Sequence, residues 1–139
     1  MRLGVAVEIQ TLIEYANNFT KEIGEPQTLP QSITNVEQLM KDERLYVWDD
    51  LGIRAIAAIS NPTSRWVRIS LVYTPPQFRE KGYASALVAT LSQAMLNVGR
   101  EFCYLFTDLS NPISNRIYMD IGYVPVCDFA EYEFYPDKH

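Results

Sequence analysis

The sequence predicts a single α+β domain over residues 1–139, built on a mixed, mainly antiparallel central sheet flanked by helices. Three observations predict it. Apolar residues recur at helical spacing in the N-terminal third and again in one long stretch after residue 82. Between them, residues 45–73 read as three strand-like runs joined by short turns. A chain of 139 residues that is 47% hydrophobic also suits one core, whereas two domains would leave each too small to bury one.

Taken in order, Ala6, Ile9, Leu12, Ile13, Ala16, Phe19 and Ile23 step by threes and fours, which draws one apolar stripe along a helix. Gly24 stops it, and Pro26 and Pro30 are expected to keep the next segment extended. A second helix is expected to begin near Thr34, because Thr34 and Glu37 have the spacing of a capping box ahead of Leu39 and Met40. Leu45 to Trp48 and Ile53 to Ser60 read as strands around the turn Asp49-Asp50-Leu51-Gly52. Asn61-Pro62-Thr63-Ser64 leads into a third, from Arg65 to Tyr73. Turns this short imply antiparallel neighbours.

Pro75 and Pro76 end the third strand. From Tyr83 to Val98 the apolar residues again follow a helical period, until Gly99. Phe102 to Thr107 is a short apolar strand. Asn111 as N-cap and Pro112 at the first helical position open a helix to about Asp120, which Gly122 ends. Tyr123 to Val126 and Glu131 to Tyr135 complete the strands. At the N-terminus only a very short strand, around Leu3 to Val7, could precede the helices. Without it the sheet has an uncovered edge, for which a homodimer is one solution.

Composition excludes several classes of function. Acidic residues outnumber basic ones, 17 to 12, which argues against a nucleic-acid binder with its basic face. Two cysteines, Cys103 and Cys127, and a single histidine, the terminal His139, make a metal site of the Cys/His kind improbable. They also put a hydrolase triad at a disadvantage. Both cysteines lie in apolar runs and read as buried thiols of a reducing compartment. No apolar run reaches a membrane span of ~18–20 residues, and no signal peptide is evident, so the expected location is the cytoplasm, with no membrane partner.

The stretch Arg79-Glu80-Lys81-Gly82-Tyr83-Ala84-Ser85 carries the most chemistry. It sits between a strand and a long helix, so its glycine allows close backbone approach and the helix offers unpaired N–H groups to an anion. Arg79 and Lys81 add positive charge. It is neither a Walker loop nor a three-glycine dinucleotide fingerprint.

Arg79 to Ala84 resembles the Gln/Arg-x-x-Gly-x-Gly/Ala signature of the GNAT superfamily of N-acetyltransferases. The run Leu71-Val72-Tyr73-Thr74-Pro75-Pro76 resembles that family's central strand and its exit. Asn111, Ser114, Tyr118, Gly122 and Tyr123 are similar to its later pattern, so the resemblance runs from about Leu45 to Tyr135. It implies a GNAT-like fold with a shortened N-terminus, acetyl-CoA as acyl donor without a metal, and a small-molecule or protein amine as acceptor.

Residue by residue, the resemblance implies that backbone groups of Val72 and Thr74 pair with the pantetheine arm. Amides of Glu80, Lys81, Gly82, Tyr83, Ala84 and Ser85 would hold the pyrophosphate, with Arg79 and Lys81 assisting. Asn111 would contact the arm, beside its role as a helix cap. Tyr118 would serve as general acid toward the leaving thiolate, against the plainer reading of a core aromatic. Neither Arg65 to Tyr73 nor Phe102 to Thr107 contains an acid to serve as base. Asp108, Glu43, Glu131 or a water chain remain as alternatives. The competing function is a non-catalytic acyl-CoA-binding or interaction module, favoured by the absent base and opposed by Tyr118.

Overall fold

The computed structural model describes residues 1–60, 62–106, 112–125 and 131–136. In chain order these form β1 (Arg2–Leu3), α1 (Ile9–Glu22), α2 (Leu29–Lys41), β2 (Leu45–Asp49), β3 (Ile53–Ser60) and β4 (Trp66–Tyr73). Then follow α3 (Tyr83–Asn97), β5 (Phe102–Phe106), α4 (Pro112–Asp120), β6 (Val124–Pro125) and β7 (Glu131–Phe134). Short 3-10 turns cover Ala6–Glu8 and Pro76–Phe78. By their contacts the residues fall into two compact units. Unit 1 is Met1–Ala58 with Leu71–Leu87, and unit 2 is Ile59–Ser70 with Val88–His139. Among the described residues no helix is long and apolar enough to cross a membrane.

Unit 1 holds β1, β2, most of β3 and the end of β4, neighbours in that order. The first strand exists, but at Arg2–Leu3 rather than Leu3 to Val7, paired antiparallel with β2 through Arg2↔Val47 and Leu3↔Tyr46. That pairing removes the premise on which a missing first strand called for a partner. Two residues suffice because Arg2 is forked: its guanidinium donates to Glu8 at 2.6 and 2.9 Å and to Asp49 at 2.9 Å. Trp48 lies on β2. The β2–β3 turn is closed by Gly52 N–H donating to Asp49 Oδ1 at 2.9 Å.

The second helix starts earlier than the sequence reading placed it. Thr28, not Thr34, is the N-cap: its Oγ1 accepts from Gln31 N–H while the Gln31 side chain accepts from Thr28 N–H. Pro30 falls in the first turn, where a missing N–H costs nothing, so it starts the helix instead of keeping the segment extended. Leu12, Ile13 and Ala16 of α1 and Val36 of α2 pack with Val47, Ile56, Leu71 and Tyr73 in one buried cluster. Burying such side chains is worth ~1.5–3 kcal/mol each before entropy is counted.

Unit 2 holds the end of β3, most of β4, and β5, β7 and β6, neighbours in that order. β4 and β5 are parallel, Trp66↔Phe102 to Arg68↔Tyr104, as a connection through a helix permits. β5 and β7 are antiparallel, Cys103↔Phe134 to Phe106↔Glu131, and β6 closes on β7. Val67, Ile69, Leu91, Cys103, Leu105 and Tyr123 are buried. Tyr123 hydroxyl and Ser92 Oγ, at 2.6 Å, satisfy each other inside that core. The fold is therefore the expected mixed, mostly antiparallel sheet with flanking helices.

Candidate functional site

The stretch singled out in the sequence leaves β4 and enters α3 within unit 1. β4 is not uniform. Leu71 has φ +54°, a left-handed conformation that a γ-branched residue rarely adopts, in the middle of a strand. Its register on β5 ends at Arg68↔Tyr104 among the described residues, short of Leu71. A positive φ with loss of register is what a bulge does to a ladder. It leaves Val72, half-buried, on a strand end whose regular pairing has been interrupted.

Thr74 follows. It is buried, and its Oγ1 has no hydrogen-bond partner among the described residues. A buried hydroxyl without a partner costs ~1–3 kcal/mol, so a ligand that supplies one is favoured there. The Thr74 carbonyl accepts from Arg79 Nε at 2.8 Å. Arg79 Nη2 meets both oxygens of Glu22, at the end of α1, at 2.6 and 2.7 Å. Its guanidinium also lies 5.7 Å from the Tyr73 ring centroid. Arg79 therefore ties strand exit, turn and α1 together, with its donors turned to groups of the protein.

The turn itself carries two left-handed residues, Glu80 at φ +64° and Gly82 at φ +81°. A Cβ added to Gly82 would meet nothing within 4 Å, so the glycine faces open space. Ala86 N–H donates to the Gly82 carbonyl at 2.9 Å, the first bond of α3. The amides of Gly82, Tyr83, Ala84 and Ser85 consequently precede any intrahelical acceptor and form the positive end of the helix. Lys81 and Glu80 are exposed. Tyr83 hydroxyl donates to Asp50 Oδ2 at 2.8 Å, and that bond holds the phenol above its usual range. Ala84 and Ser85 are half-buried.

Tyr118 belongs to unit 2, on α4. Its ring meets Tyr123 edge-on, centroids 6.2 Å apart. Burial pushes its phenol up to about 12, so it is protonated throughout the physiological range. Asn111 and Asp108 lie outside the described residues, as does Cys127. Cys103 is buried and its thiol is pushed up to about 12 by desolvation, which agrees with a structural role. Glu22 and Asp50, which hold Arg79 and Tyr83, had no signal in the sequence, being 57 and 33 residues from their partners.

The segment brings together an interrupted strand end, an orphaned Thr74 hydroxyl, and helix amides over open space at Gly82. A family model described as the acetyltransferase (GNAT) family matches residues 9–123. No curated protein is similar enough in sequence to count as a match. Among solved structures, an N-acetyltransferase from Staphylococcus aureus Mu50 superposes with a TM-score of 0.74 at 17% identity, over 96% of each chain. PaiA N-acetyltransferase from Thermoplasma acidophilum, solved in complex with coenzyme A, gives 0.71 at 15% identity, over 97% of each chain. A GNAT family acetyltransferase from Brucella melitensis, in complex with acetyl-CoA, gives 0.70 at 14% identity, over 99% of this chain and 89% of the other. At such identities the likeness is one of fold.

Proposed function

The chain belongs to the GNAT acetyltransferase family, and from that premise we propose that it transfers an acetyl group from acetyl-CoA to a primary amine by direct attack on the thioester. The observation that carries the proposal is the Thr74–Ser85 segment, where an orphaned hydroxyl, open space at Gly82 and four unpaired amides converge in sequence. The family match includes residues of both units, in support of one acetyltransferase domain over residues 1–139.

Acetyl-CoA supplies the activated acyl carbon and a leaving thiolate. The amides of Gly82 to Ser85 bind the pyrophosphate, an anion placed on a helix N-terminus. Lys81 adds a mobile charge nearby. Val72 and Thr74 offer backbone groups to the pantetheine arm, in the manner of an added strand. Thr74 Oγ1 gains the partner it lacks. Arg79 positions this surface through the Thr74 carbonyl and Glu22.

Tyr118 acts on the leaving sulfur, and its acidity sets the form of help. Burial holds the Tyr118 phenol above its usual range, so it carries its proton and faces the sulfur as a donor. Tyr118 donates its O–H proton to the sulfur as the C–S bond breaks, acting as general acid, and regains a proton from solvent. β4 and β5 carry no carboxylate, so the attacking ammonium loses its proton through water.

Calorimetric titration with acetyl-CoA tests the binding half, with desulfo-CoA and ATP as controls. Binding is expected in the wild type and lost in Gly82→Glu, which imposes a side chain on φ +81° and places a negative charge at the anion site. Thiol release over a panel of amines tests the chemistry. Binding without release from any amine would identify an acyl-CoA-binding module instead.

A further inference from the structure

Among the described arginines of unit 2, one has no polar counterpart. Unit 2 contains four arginines. Arg65 pairs with Glu101 at 2.9 Å, and Arg116 meets Asp120 at 3.9 Å. Arg100 donates from Nη1 to the Thr63 carbonyl. Arg68 alone has no hydrogen bond or ion pair among the described residues, and its Nε is fully buried. Its contact is a ring: the guanidinium lies 4.8 Å from the Phe106 centroid.

The surroundings are apolar and ordered by register. Trp66 and Arg68 of β4 stand beside Phe102 and Tyr104 of β5. Trp66 stacks on Phe102 at 5.6 Å, and Phe106 meets Tyr104 edge-on at 5.8 Å. These side chains are half-buried or exposed, while the alternating Val67, Ile69, Cys103 and Leu105 are buried. Ser60 and Ser70 hydroxyls, hydrogen-bonded to each other, lie in the same unit.

From this we infer that Arg68 is an acceptor-recognition residue, and that the amine substrate carries a carboxylate, as an amino acid with an apolar side chain does. The inference rests on the acetyltransferase reading and names its substrate class. A guanidinium is planar and presents its two Nη donors side by side, which a carboxylate matches with two parallel bonds. The neighbouring rings offer stacking and apolar area to the remainder of the molecule. Arg68 also sits on the strand that supplies Val72 to the proposed donor site. In a protein of net charge −5, a lone unpaired cation on an aromatic surface selects for one anionic group, not for polyanions.

The test uses matched pairs: L-phenylalanine against L-phenylalaninamide, and their N-acetyl products, with the wild type, Arg68→Gln and Arg68→Lys. Wild type is expected to bind N-acetyl-L-phenylalanine at least about tenfold tighter than its amide by calorimetry with coenzyme A present. It should acetylate the free acid with a lower KM by a similar factor. Arg68→Gln should erase the difference by weakening the carboxylate ligand alone, and Arg68→Lys should restore only part of it, as a point charge without the fork. Acetyl-CoA affinity, titrated separately, should be unchanged in both variants, so failure of donor binding is seen independently of acceptor choice. Equal binding of acid and amide by the wild type overturns the inference, as does a preference that survives Arg68→Gln. Acetylation confined to protein amino groups also overturns it.

Discussion

In unit 1 several polar side chains are tied to one another: Arg79 to Glu22, Arg2 to Glu8 and Asp49, Tyr83 to Asp50. On β4 of unit 2, Arg68 instead carries its charge among aromatic rings, with no carboxylate beside it among the described residues. The difference separates two ways of making a binding surface. Where side chains are used up in holding the chain, ligand contacts fall to backbone amides and to conformations such as φ +81° at Gly82. Where a side chain is left unpaired, it can discriminate between ligands by itself. The proposed donor contacts should therefore depend on backbone shape, and the proposed roles of Tyr118 and Arg68 on single functional groups.

The sharpest way to break this contrast is Tyr118→Phe. The ring and its edge contact with Tyr123 persist, and only the hydroxyl is lost. Turnover is expected to fall about a hundredfold, with acetyl-CoA affinity within about twofold of wild type, read by thiol release and calorimetry. A large loss of affinity at unchanged turnover would place Tyr118 with the binding groups instead.

A middling effect is expected at the Arg79–Glu22 pair. Both side chains are about two-fifths exposed, so the pair itself is worth little, ~0–1 kcal/mol. Arg79→Gln and Glu22→Gln should weaken acetyl-CoA binding by similar factors, about two- to fivefold, because each loosens the Thr74 exit. Were Arg79 a direct phosphate ligand, freeing it by Glu22→Gln would tighten binding while Arg79→Gln weakened it. Opposite signs in the two titrations would end the scaffold reading.

The smallest effect concerns pH. The Arg2 guanidinium holds Glu8 below the usual carboxylate range; Gly52 N–H first, and Arg2 second, do the same for Asp49. A depressed carboxylate pKa contributes stability that is present above its unfolded value and lost as pH falls through its folded value. Thermal melts of wild type and Arg2→Ala should therefore differ slightly at neutral pH and converge in acid. A difference that persists in acid would mean that Arg2 acts through packing.

Much of this architecture is legible in the residues because period and turn chemistry are local. The meander from Leu45 to Tyr73, the long helix after Gly82 and the order of the last strands all follow from them. The start of α2 does not. Thr28-x-x-Gln31 and Thr34-x-x-Glu37 have the same capping spacing, and only the tolerance of a first-turn proline decides for the former. At the site, glycine and basic residues announce the turn, yet the use of Arg79 depends on Glu22, far away in sequence. Leu71 carries no mark of its positive φ, since a leucine in an alternating run reads as ordinary strand. Nor can a sequence show that Arg68 lacks a partner, because pairing is a property of three dimensions.

The two tryptophans fall one to each unit, Trp48 on β2 and Trp66 on β4. Each half of the chain thus carries its own intrinsic fluorophore, and no label is needed to follow them apart. In Trp66→Phe the emission comes from unit 1, and in Trp48→Phe from unit 2. Trp66, stacked on Phe102, also sits beside the strand position of Arg68, so its emission offers a test of whether an acceptor occupies the proposed site. The same pair of spectra can then report whether the halves melt as one cooperative body and whether a ligand has arrived.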